Sequence, residues 1–388
     1  QPGSGFKPIV YAAAFESGLM PTDHFLDMKI EYPKKGPNET NWSPENYDGR
    51  FRGEVTLEYA LVHSLNTVAV RLIDHVGSKN ILNVARNLGI TSPHVPADLS
   101  LALGSASITP LEMAVAFSAL ANNGKTVLPL MIREVRSGNG DVLESRAPVS
   151  TRGISAESAV VLRSVLLDAV RTGTGSRALL KDRETFGKTG TTNDYSDAWF
   201  LGGVPGLVAV VYAGNDDHKP LGKKGATGGV VSAPIWKAFV EEAVKGRDLP
   251  AKFTVPPEAK VEPVKICRKT GFRAIPGCSA VTVYLPKGKS PRSKCPVHGG
   301  DMYAASTDPN APQLILVHND SKTYKSSGMY SDATAVQPPT ATGPVKVTTP
   351  QGPSGAVAPG ELVYTDPSPA TEVEDKYQKL LKQYGITN

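Results

Sequence analysis

Three short motifs in a fixed order constrain this chain more than any other feature of its sequence. In chain order they are Ser4-x-x-Lys7, Ser64-x-Asn66 and Lys188-Thr189-Gly190. Each motif alone is common, because serine with lysine on a helix, or serine with asparagine at a helix break, has ordinary structural uses. Together they supply a hydroxyl nucleophile, amines that act as bases, and a glycine beside which another backbone segment can pack closely. The combination predicts a serine acyl-transfer site.

The first motif is predicted to open a helix over residues 4–17, which contains three consecutive alanines. Side chains three positions apart on a helix share a face, with about 5–6 Å between their Cβ atoms. Lys7 therefore lies within reach of the Ser4 hydroxyl and can take its proton. A lysine acts as a base only when it is neutral, so burial or a neighbouring cation must lower its pKa. Lys188 is the candidate for that second charge.

The second motif is predicted to join two helices. Apolar residues recur at helical spacing over residues 56–76, and the serine and asparagine near the centre compete with the backbone for hydrogen bonds, which favours a break there. Residues 33–53, which precede it, are rich in proline, glycine and asparagine and are predicted to be a loop. Further helices are predicted at residues 78–88, 110–121, 156–171 and 233–244.

The third motif is predicted at the end of a strand that begins an antiparallel meander, with the last helix packed against it. The predicted strands are residues 185–191, 198–204 and 207–213. Gly190 permits close approach of another backbone at the end of the first strand. The backbone N–H groups of Thr191 and Ser4 are the candidate donors to a developing oxyanion.

Composition argues against nucleic-acid binding and excludes little else. The chain has 388 residues, 40% of them apolar, and is long enough for about two or three domains. Its formal charge of +5 comes from 42 basic and 37 acidic residues, without an arginine-rich run. The apolar stretch at residues 206–213 is far shorter than the roughly 20 residues that span a bilayer. The start at Gln1, without an initiator methionine or leader, suggests a fragment or processed product.

Four segments are predicted along the chain. The motifs lie in a domain over residues 1–250, which is followed at 251–330 by a small β-rich extension. Residues 331–370 are rich in proline and threonine and are predicted to be a disordered linker. Residues 371–388 predict a short amphipathic helix, which is either a docking site for a protein partner or a marginally stable exposed helix.

All three cysteines, Cys267, Cys278 and Cys295, lie in the extension. An odd number permits one disulfide with one spare thiol, whose connectivity the sequence does not reveal. His298 follows Cys295 by three positions, so a zinc site of three cysteines and one histidine is an alternative. The gaps between the cysteines do not match zinc-finger spacing, and we therefore favour a disulfide or free thiols over a metal.

The sequence around the motifs resembles the transpeptidase domain of class A, bifunctional penicillin-binding proteins. The resemblance covers about residues 1–250 and continues through the cysteine-containing segment to His298. Besides the three motifs, the segments that carry it are residues 102–105, 109–113, 173–175, 197–200 and 233–236. It implies an α+β fold in α/β/α layers, with an antiparallel sheet flanked by helices as in serine β-lactamases, and a small β-rich C-terminal appendage.

The resemblance also implies a D,D-transpeptidase that cross-links peptidoglycan. Ser4 would attack the penultimate D-Ala carbonyl of a stem peptide and release the terminal D-Ala, an acceptor amine would resolve the acyl-enzyme, and β-lactams would acylate the same serine. The other implied catalytic residues are Lys7 as the base, Ser64 and Asn66 in proton relay and donor binding, and Lys188 in electrostatic tuning. The implied substrate-binding residues are Thr189, Gly190 and Thr191.

Partners and location follow from the same resemblance. It implies peptidoglycan stem peptides and β-lactams as ligands, no cofactor and no metal, and a place at the periplasmic face of the inner membrane. Family members carry an N-terminal membrane anchor, a glycosyltransferase domain and strands upstream of the nucleophile helix, and this chain has none of these. We therefore expect the isolated fragment to expose an unpaired sheet edge and to be unstable or aggregate.

Three other interpretations stay open. A class A β-lactamase shares the motifs but needs a carboxylate that activates a deacylating water, and neither Glu112 nor Glu157 lies in a segment of that kind. A D,D-carboxypeptidase would pass the acyl group to water at the same site. A non-catalytic scaffold would use the fold, the proline-rich tail and the terminal helix to hold partners, although the intact motifs argue against it.

Overall fold

The computed structural model describes residues 1–33, 41–192, 194–222, 225–317 and 320, and the backbone of Ala335–Val336. Its helices are α1 (Lys7–Glu16), α2 (Leu57–Val62), α3 (Asn66–Val76), α4 (Ser78–Asn87), α5 (Pro110–Ala121), α6 (Ala156–Arg171), α7 (Ser232–Ala243) and α8 (Met302–Ser306). Its strands are β1 (His24–Asp27), β2 (Gly53–Thr56), β3 (Lys125–Val127), β4 (Glu134–Arg136), β5 (Val142–Ser145), β6 (Ser150–Arg152), β7 (Phe186–Thr191), β8 (Asp197–Val204), β9 (Leu207–Gly214), β10 (Val261–Cys267), β11 (Ala280–Pro286), β12 (Leu314–Ile315) and β13 (Ala335–Val336). Short 3-10 turns lie at Gly3–Phe6, Leu99–Leu103, Ser176–Ala178 and Pro296–His298.

The helices predicted between residues 56 and 244 are confirmed, most closely where strong caps fix their first residues. Helix α5 has its predicted bounds because the Thr109 hydroxyl accepts a hydrogen bond from the N–H of Glu112, whose carboxylate accepts one from the N–H of Thr109. Pro110 occupies the first helical position, where a missing N–H costs nothing. Helices α4, α6 and α7 lie where the sequence predicted them, and α2 and α3 are separated at the second motif.

The first motif departs from the prediction, because Ser4 lies ahead of the α-helix rather than in it. The chain opens with the 3-10 turn Gly3–Phe6, and α1 begins only at Lys7. Pro8 at the second position of α1 has no N–H to donate to the carbonyl of Ser4, so the α-helical bond cannot form there. Instead, the N–H of Lys7 donates to the Ser4 carbonyl, three residues earlier, which is the hydrogen bond of a 3-10 turn.

The predicted meander is confirmed, with β7, β8 and β9 paired antiparallel in that order. Side chains of alternate residues in β8 lie on opposite faces of the sheet. Trp199 and Leu201 join the larger core, which includes buried residues of α1, α3, α5 and α6. Phe200 instead packs with Trp236 and Val240 of α7. Helices therefore cover both faces of the sheet, and the predicted α+β fold in α/β/α layers is confirmed.

The two edges of this sheet have different surroundings. The edge strand β7, which carries the third motif, packs against the turn Gly3–Phe6. Among the described residues, β9 at the other edge pairs with β8 alone. The expected open edge is thus present at β9, and the instability that we derived from it stays a prediction. The nucleophile motif and the third motif meet at the β7 edge.

A second, mixed sheet was not predicted. Its strand order among the described residues is β13-β12-β1-β2, in which β1 and β2 are antiparallel and β12 joins β1 in parallel. All four residues of β1 are buried, so its sequence shows no alternation of apolar and polar positions. Its partner β12 is far away along the chain, since His24 pairs with Leu314, 290 residues later. Local sequence patterns carry no signal of such a pairing.

The extension beyond residue 250 packs onto the larger core. Strands β10 and β11 form an antiparallel hairpin in which Cys267 pairs with Ala280. Apolar residues of both strands, among them Ile266 and Val283, belong to the same hydrophobic cluster as α6. The N–H of Tyr284 also donates to the hydroxyl of Ser164 on α6 at 3.1 Å. The small β-rich appendage is therefore docked on the helix at the centre of the core.

The tail differs from the prediction at two residues. Ala335–Val336, within the expected disordered linker, pairs in parallel with Leu314–Ile315. A backbone next to an existing strand edge gains ladder hydrogen bonds, whatever its composition. The rest of the linker and the helix predicted at 371–388 lie outside the described residues. In the described part of the chain, no helix has both the length and the apolar character needed to cross a bilayer.

Candidate active site

Ser4 lies half-buried in the turn Gly3–Phe6 at the β7 edge of the sheet. Its hydroxyl makes no hydrogen bond with any residue that the structure describes. Most serines in such a turn cap the backbone or bind a neighbour. The Ser4 hydroxyl is therefore available to a molecule from solvent.

The Lys7 side chain points into the protein and binds the second motif. Its Nζ lies 2.6 Å from Asn66 Oδ1, 2.7 Å from the Ser64 carbonyl oxygen and 3.3 Å from Ser64 Oγ. Lys7 is fully buried. Burial, and after it the charge of Lys188, holds the pKa of Lys7 well below its ordinary value of 10.5. This lowered pKa favours a neutral amine at Lys7, three residues after Ser4.

The Lys188 side chain contacts the same serine. Its Nζ donates to Ser64 Oγ at 2.9 Å and to the carbonyl oxygen of Thr189 at 3.0 Å. Burial lowers the pKa of Lys188 to about 7. The structure therefore brings together four of the five predicted catalytic residues, Lys7, Ser64, Asn66 and Lys188, in one hydrogen-bonded cluster.

The second motif keeps this geometry through a strained turn. Ser64 has a φ of +59°, in the left-handed region that serine seldom adopts. Its N–H donates to the Leu61 carbonyl at 3.1 Å and the N–H of Leu65 donates to the Ala60 carbonyl at 2.9 Å, which ends α2. Helix α3 then begins at Asn66. The turn directs both the carbonyl and the hydroxyl of Ser64 at the lysines.

Asn46, which the sequence did not mark as a site residue, holds Asn66 in place. Its Oδ1 accepts the N–H of Asn66 at 2.8 Å, and its Nδ2 donates to Asp27 Oδ1 at 2.6 Å. The Asn66 Nδ2 in turn donates to the Glu45 carbonyl at 2.7 Å, which leaves Oδ1 directed at Lys7. The segment was predicted only as a loop, because its contacts with α3 have no local sequence pattern.

Gly190 allows the third motif to lie directly against the nucleophile turn. A Cβ on Gly190 would lie 2.1 Å from the carbonyl oxygen of Pro2 and 3.1 Å from the N–H nitrogen of Gly5. A Cβ on Gly3 would likewise lie 2.5 Å from the carbonyl oxygen of Thr191. Backbones this close exclude any side chain. The contact places the candidate oxyanion donors, the N–H groups of Ser4 and Thr191, on adjoining segments.

Two further residues bind the threonines of the third motif. The hydroxyls of Thr174 and Thr189 lie 2.8 Å apart, and the N–H of Gly228 donates to the Thr191 hydroxyl at 3.0 Å. Thr174 lies in a segment that carried the family resemblance, so the sequence marked the segment without giving it a role. No sequence pattern marked Gly228 as part of the site. Both contacts fix the rotamers of hydroxyls at the edge of the site.

Two tyrosines, one on each side of the site, contact each other. Tyr47 follows the loop residue that holds Asn66, and Tyr195 lies in the turn after the third motif. Their hydroxyl oxygens are 3.0 Å apart, and their rings meet edge to face at 6.4 Å. Tyr195 has a φ of +61°. The pair connects the second-motif side of the site with the third-motif side.

Of the two states that the sequence favoured for the cysteines, a disulfide or free thiols, the structure has free thiols. Cys267, Cys278 and Cys295 are free thiols, and with His298 their donor atoms all lie within 4.8 Å of one another. The wide sequence gaps led us to disfavour a metal, but the gaps are spanned by the β10–β11 hairpin and a returning loop. Distance along the chain was therefore a poor measure of distance in space.

Comparison with known proteins gives a consistent family assignment. A family model described as the penicillin-binding protein transpeptidase domain matches residues 1–241. Penicillin-binding protein 1A of Neisseria meningitidis serogroup A is 38% identical over 253 residues, 64% of this chain and 32% of that protein. Penicillin-binding protein 1A of Aquifex aeolicus is 37% identical over 298 residues, 76% of this chain and 40% of that protein. The chain thus spans well under half the length of these relatives.

Solved structures agree with this assignment. The crystal structure of penicillin-binding protein 1A from Haemophilus influenzae matches with a TM-score of 0.67 and 28% identity, over 76% of this chain and 49% of that chain. Penicillin-binding protein A from M. tuberculosis, solved as an imipenem acyl-enzyme complex, matches with a TM-score of 0.55 and 25% identity, over 63% of this chain and 60% of that chain. Both similarities include the layered fold described above.

Proposed function

The chain belongs to the penicillin-binding protein transpeptidase family, and we propose that it is a serine D,D-transpeptidase that cross-links peptidoglycan through an acyl-enzyme on Ser4. One arrangement supports the proposal above all others. Two buried lysines, Lys7 and Lys188, meet at the Ser64 hydroxyl, and Lys7 follows by three residues Ser4, whose hydroxyl makes no hydrogen bond with any described residue. This arrangement provides a nucleophile, a neutral base and a proton relay in one place.

Acylation uses the short chain of proton donors and acceptors. Ser4 Oγ attacks the carbonyl carbon of the penultimate D-Ala, and Lys7 Nζ takes the hydroxyl proton as the new O–C bond forms. The C–N bond to the terminal D-Ala then breaks. The proton on Lys7 passes through Ser64 Oγ to the leaving amine, since Ser64 Oγ is hydrogen-bonded to both lysines. The products are a serine ester and free D-Ala.

The third motif would hold the donor peptide and its oxyanion. The N–H groups of Ser4 and Thr191 are proposed to donate to the carbonyl oxygen as it becomes negative. The hydroxyls of Thr189 and Thr191, each fixed by a neighbour, are proposed to bind the terminal carboxylate together with Gly190 backbone. A protonated Lys188 adds a positive charge near both groups.

The surroundings of the site residues favour deacylation by an amine over deacylation by water. Within the part of the chain that the structure describes, no carboxylate hydrogen-bonds to Ser4, Lys7, Ser64 or Lys188. A carboxylate that activates water is the feature a β-lactamase requires. We therefore propose that the acyl-enzyme persists until an acceptor amine arrives, and that β-lactams inhibit the protein by forming a long-lived ester on Ser4.

The setting of this reaction is also part of the proposal. The substrate is a wall polymer, so the site would work on the periplasmic side of the inner membrane. The reaction needs no cofactor, because the nucleophile, base and oxyanion donors are all supplied by the chain. A glycosyltransferase activity and a membrane anchor in the whole protein are proposed from the class A relatives alone, as is a protein partner for residues 371–388.

The test uses a stem pentapeptide that ends in D-Ala-D-Ala and a labelled amine acceptor. We expect release of D-Ala together with incorporation of the label. Ser4→Ala should abolish both, whereas Ser145→Ala, on the exposed strand β5, should change neither. Release without incorporation at saturating acceptor would identify a carboxypeptidase. Neither release nor incorporation by a folded protein would contradict an acyl-transfer function.

A further inference from the structure

Four potential metal ligands converge in the extension. The Sγ atoms of Cys267, Cys278 and Cys295 and a ring nitrogen of His298 all lie within 4.8 Å of one another. His298 Nδ1 is 3.1 Å from Cys295 Sγ and 3.7 Å from Cys267 Sγ. Tetrahedral zinc, with Zn–S of about 2.3 Å and Zn–N of about 2.0–2.1 Å, separates its ligand atoms by about 3.5–3.8 Å. The donor atoms are thus already near the separations that zinc requires.

We infer that Cys267, Cys278, Cys295 and His298 bind one zinc ion in a closed, structural site. Three thiolates and one imidazole form a donor set that suits zinc, and four protein ligands leave no open position for a substrate. Binding releases three thiol protons and leaves the site with a charge of minus one. Two cationic residues, Lys269 and Lys294, adjoin the ligands in sequence.

The backbone is folded so that the ligands meet. The N–H of Cys267 donates to the Phe272 carbonyl at 2.8 Å, which turns the chain back at the end of β10. The N–H of Cys295 donates to the Arg273 carbonyl at 2.9 Å, which brings the third cysteine beside that turn. A Cβ on Gly300 would lie 2.6 Å from the Cys295 carbonyl oxygen, so the chain after His298 folds tightly over Cys295.

Donors to sulfur surround the cluster. The Thr270 hydroxyl donates to Cys295 Sγ at 3.2 Å, and the N–H of Ile275 donates to Cys278 Sγ at 3.4 Å. Hydrogen bonds of this kind stabilise metal-bound thiolates and orient them. A disulfide would use two sulfurs and has no need of a third sulfur and an imidazole nitrogen at the same point. The whole arrangement therefore favours a metal over a disulfide.

The site also has a structural task. The buried apolar residues around it form only a small cluster of Cys267, Phe272, Cys295 and Ala305, which is little to hold a loop-rich segment together. The same turn anchors the extension to the transpeptidase domain, because Arg268 forms an ion pair with Asp168 at 2.5 Å and its guanidinium lies 3.3 Å from the Glu58 carboxyl. Zinc would fix the turn from which this arginine extends.

The first test measures metal and thiols in the unmodified protein. The full chain is prepared without a polyhistidine tag and dialysed against metal-free buffer, and zinc and iron are measured by plasma mass spectrometry. We expect about one zinc per chain and three thiols that react with a disulfide reagent only after unfolding in chelator. Metal-free protein with one reactive thiol would mean a disulfide, and metal-free protein with three reactive thiols or protein with bound iron would also overturn the inference.

Variants and a spectroscopic probe complete the test. Cys278→Ser and His298→Gln should lower the zinc content to below about one tenth of that of the wild type, whereas the matched control His94→Gln, at an exposed histidine elsewhere, should retain it. If the variants do not fold, cobalt added to the apo wild type decides the question. Tetrahedral cobalt bands with sulfur-to-cobalt charge transfer support the site, and their absence overturns it.

Discussion

The side-chain amines of Lys7 and Lys188 meet at a single atom, the hydroxyl oxygen of Ser64, at 3.3 Å and 2.9 Å. Both lysines are fully buried, so two protonated amines would repel each other without much water between them. Burial, then the Lys188 charge, lowers the pKa of Lys7, while burial alone lowers that of Lys188 to about 7. One base and one cation can therefore coexist at neutral pH.

This pair predicts the pH dependence of acylation. The lowered pKa of Lys7 favours the neutral amine that accepts the Ser4 proton. As the pH rises through about 7, Lys188 loses its proton and with it the positive charge beside the substrate. We therefore expect the second-order rate of penicillin acylation to fall on the alkaline side of neutrality.

Lys188→Arg tests this assignment, because arginine stays charged at every accessible pH. The alkaline fall should disappear up to about pH 9 even if the absolute rate is reduced. Lys245→Arg at an exposed site should leave the profile unchanged. An alkaline limb at the same pH in Lys188→Arg and in the wild type would show that another group causes it.

Gly190→Ala should disrupt the contact between the third motif and the nucleophile turn. Its Cβ would lie 2.1 Å from the Pro2 carbonyl oxygen, so one backbone segment must move. We expect the acylation rate to fall by about 100-fold, because displacements of about 1 Å have such effects, and the free energy of unfolding to fall by about 1–3 kcal/mol. Stopped-flow acylation and urea unfolding measure the two effects.

Gly138→Ala is the matched control for that variant. A Cβ on Gly138 would meet nothing within 4 Å, and its φ lies outside the left-handed region. Its acylation rate and stability should match those of the wild type. Equal behaviour of the two alanine variants would show that close approach at Gly190 is not needed.

Asn46→Ala should act on the reaction through Asn66. It removes the acceptor for the backbone N–H of Asn66 and a donor to Asp27, so the first residue of α3, which presents its side-chain oxygen to Lys7, is held less firmly. We expect the first-order acylation step to slow by about 10- to 100-fold, with little change in the affinity of the initial penicillin complex. Acylation rates across penicillin concentrations separate the two quantities.

The control for this positioning role is Asn80→Ala, which removes a side-chain bond to the Val76 carbonyl outside the site. It should leave both kinetic quantities unchanged. If Asn46→Ala weakened the initial complex and left the first-order step intact, Asn46 would instead contribute to substrate binding.

Glu58 predicts a pH dependence of stability. Burial raises the pKa of this carboxyl to about 8, against an opposing effect of Arg268. Between the ordinary value of 4.5 and about 8, the folded protein retains a proton that the unfolded chain has released. Folding takes up this proton, so the contribution of Glu58 to stability falls as the pH rises from about 5 to about 8.

Glu58→Gln removes that titration with little change of shape. Its free energy of unfolding should fall less between pH 5 and pH 8 than that of the wild type, as measured by urea unfolding at several pH values. Glu241→Gln, at an exposed position on α7, should keep the wild-type slope. Parallel curves for Glu58→Gln and the wild type would contradict the raised pKa.

The part of the fold that the sequence predicted is the part with local signals. Helix α5 begins where Thr109, Pro110 and Glu112 form a capping box, and β7 to β9 have apolar runs separated by short turns. Strand β1 had no such signal, because it is buried on both faces and its partner near Leu314 is far away in the sequence. Contacts between distant segments decide such elements.

The site divides in the same way. Ser4, Lys7, Ser64, Asn66 and Lys188 were predicted because motif spacing marks groups that carry chemistry. Asn46, Thr174 and Gly228 were not, since the hydrogen bonds through which they reach the motifs join residues 20, 15 and 37 positions apart, which leave no local pattern. The cysteines were visible, but sequence spacing hid their proximity.

The most direct test of the central claim is to locate the penicillin adduct. The folded protein is incubated with a β-lactam, its intact mass is measured, and the modified residue is identified by peptide mapping. We predict one stable adduct per chain on Ser4, which is absent from Ser4→Ala. An adduct on Ser64 or elsewhere, or a folded wild type that acquires none, would contradict the assignment of Ser4 as the nucleophile.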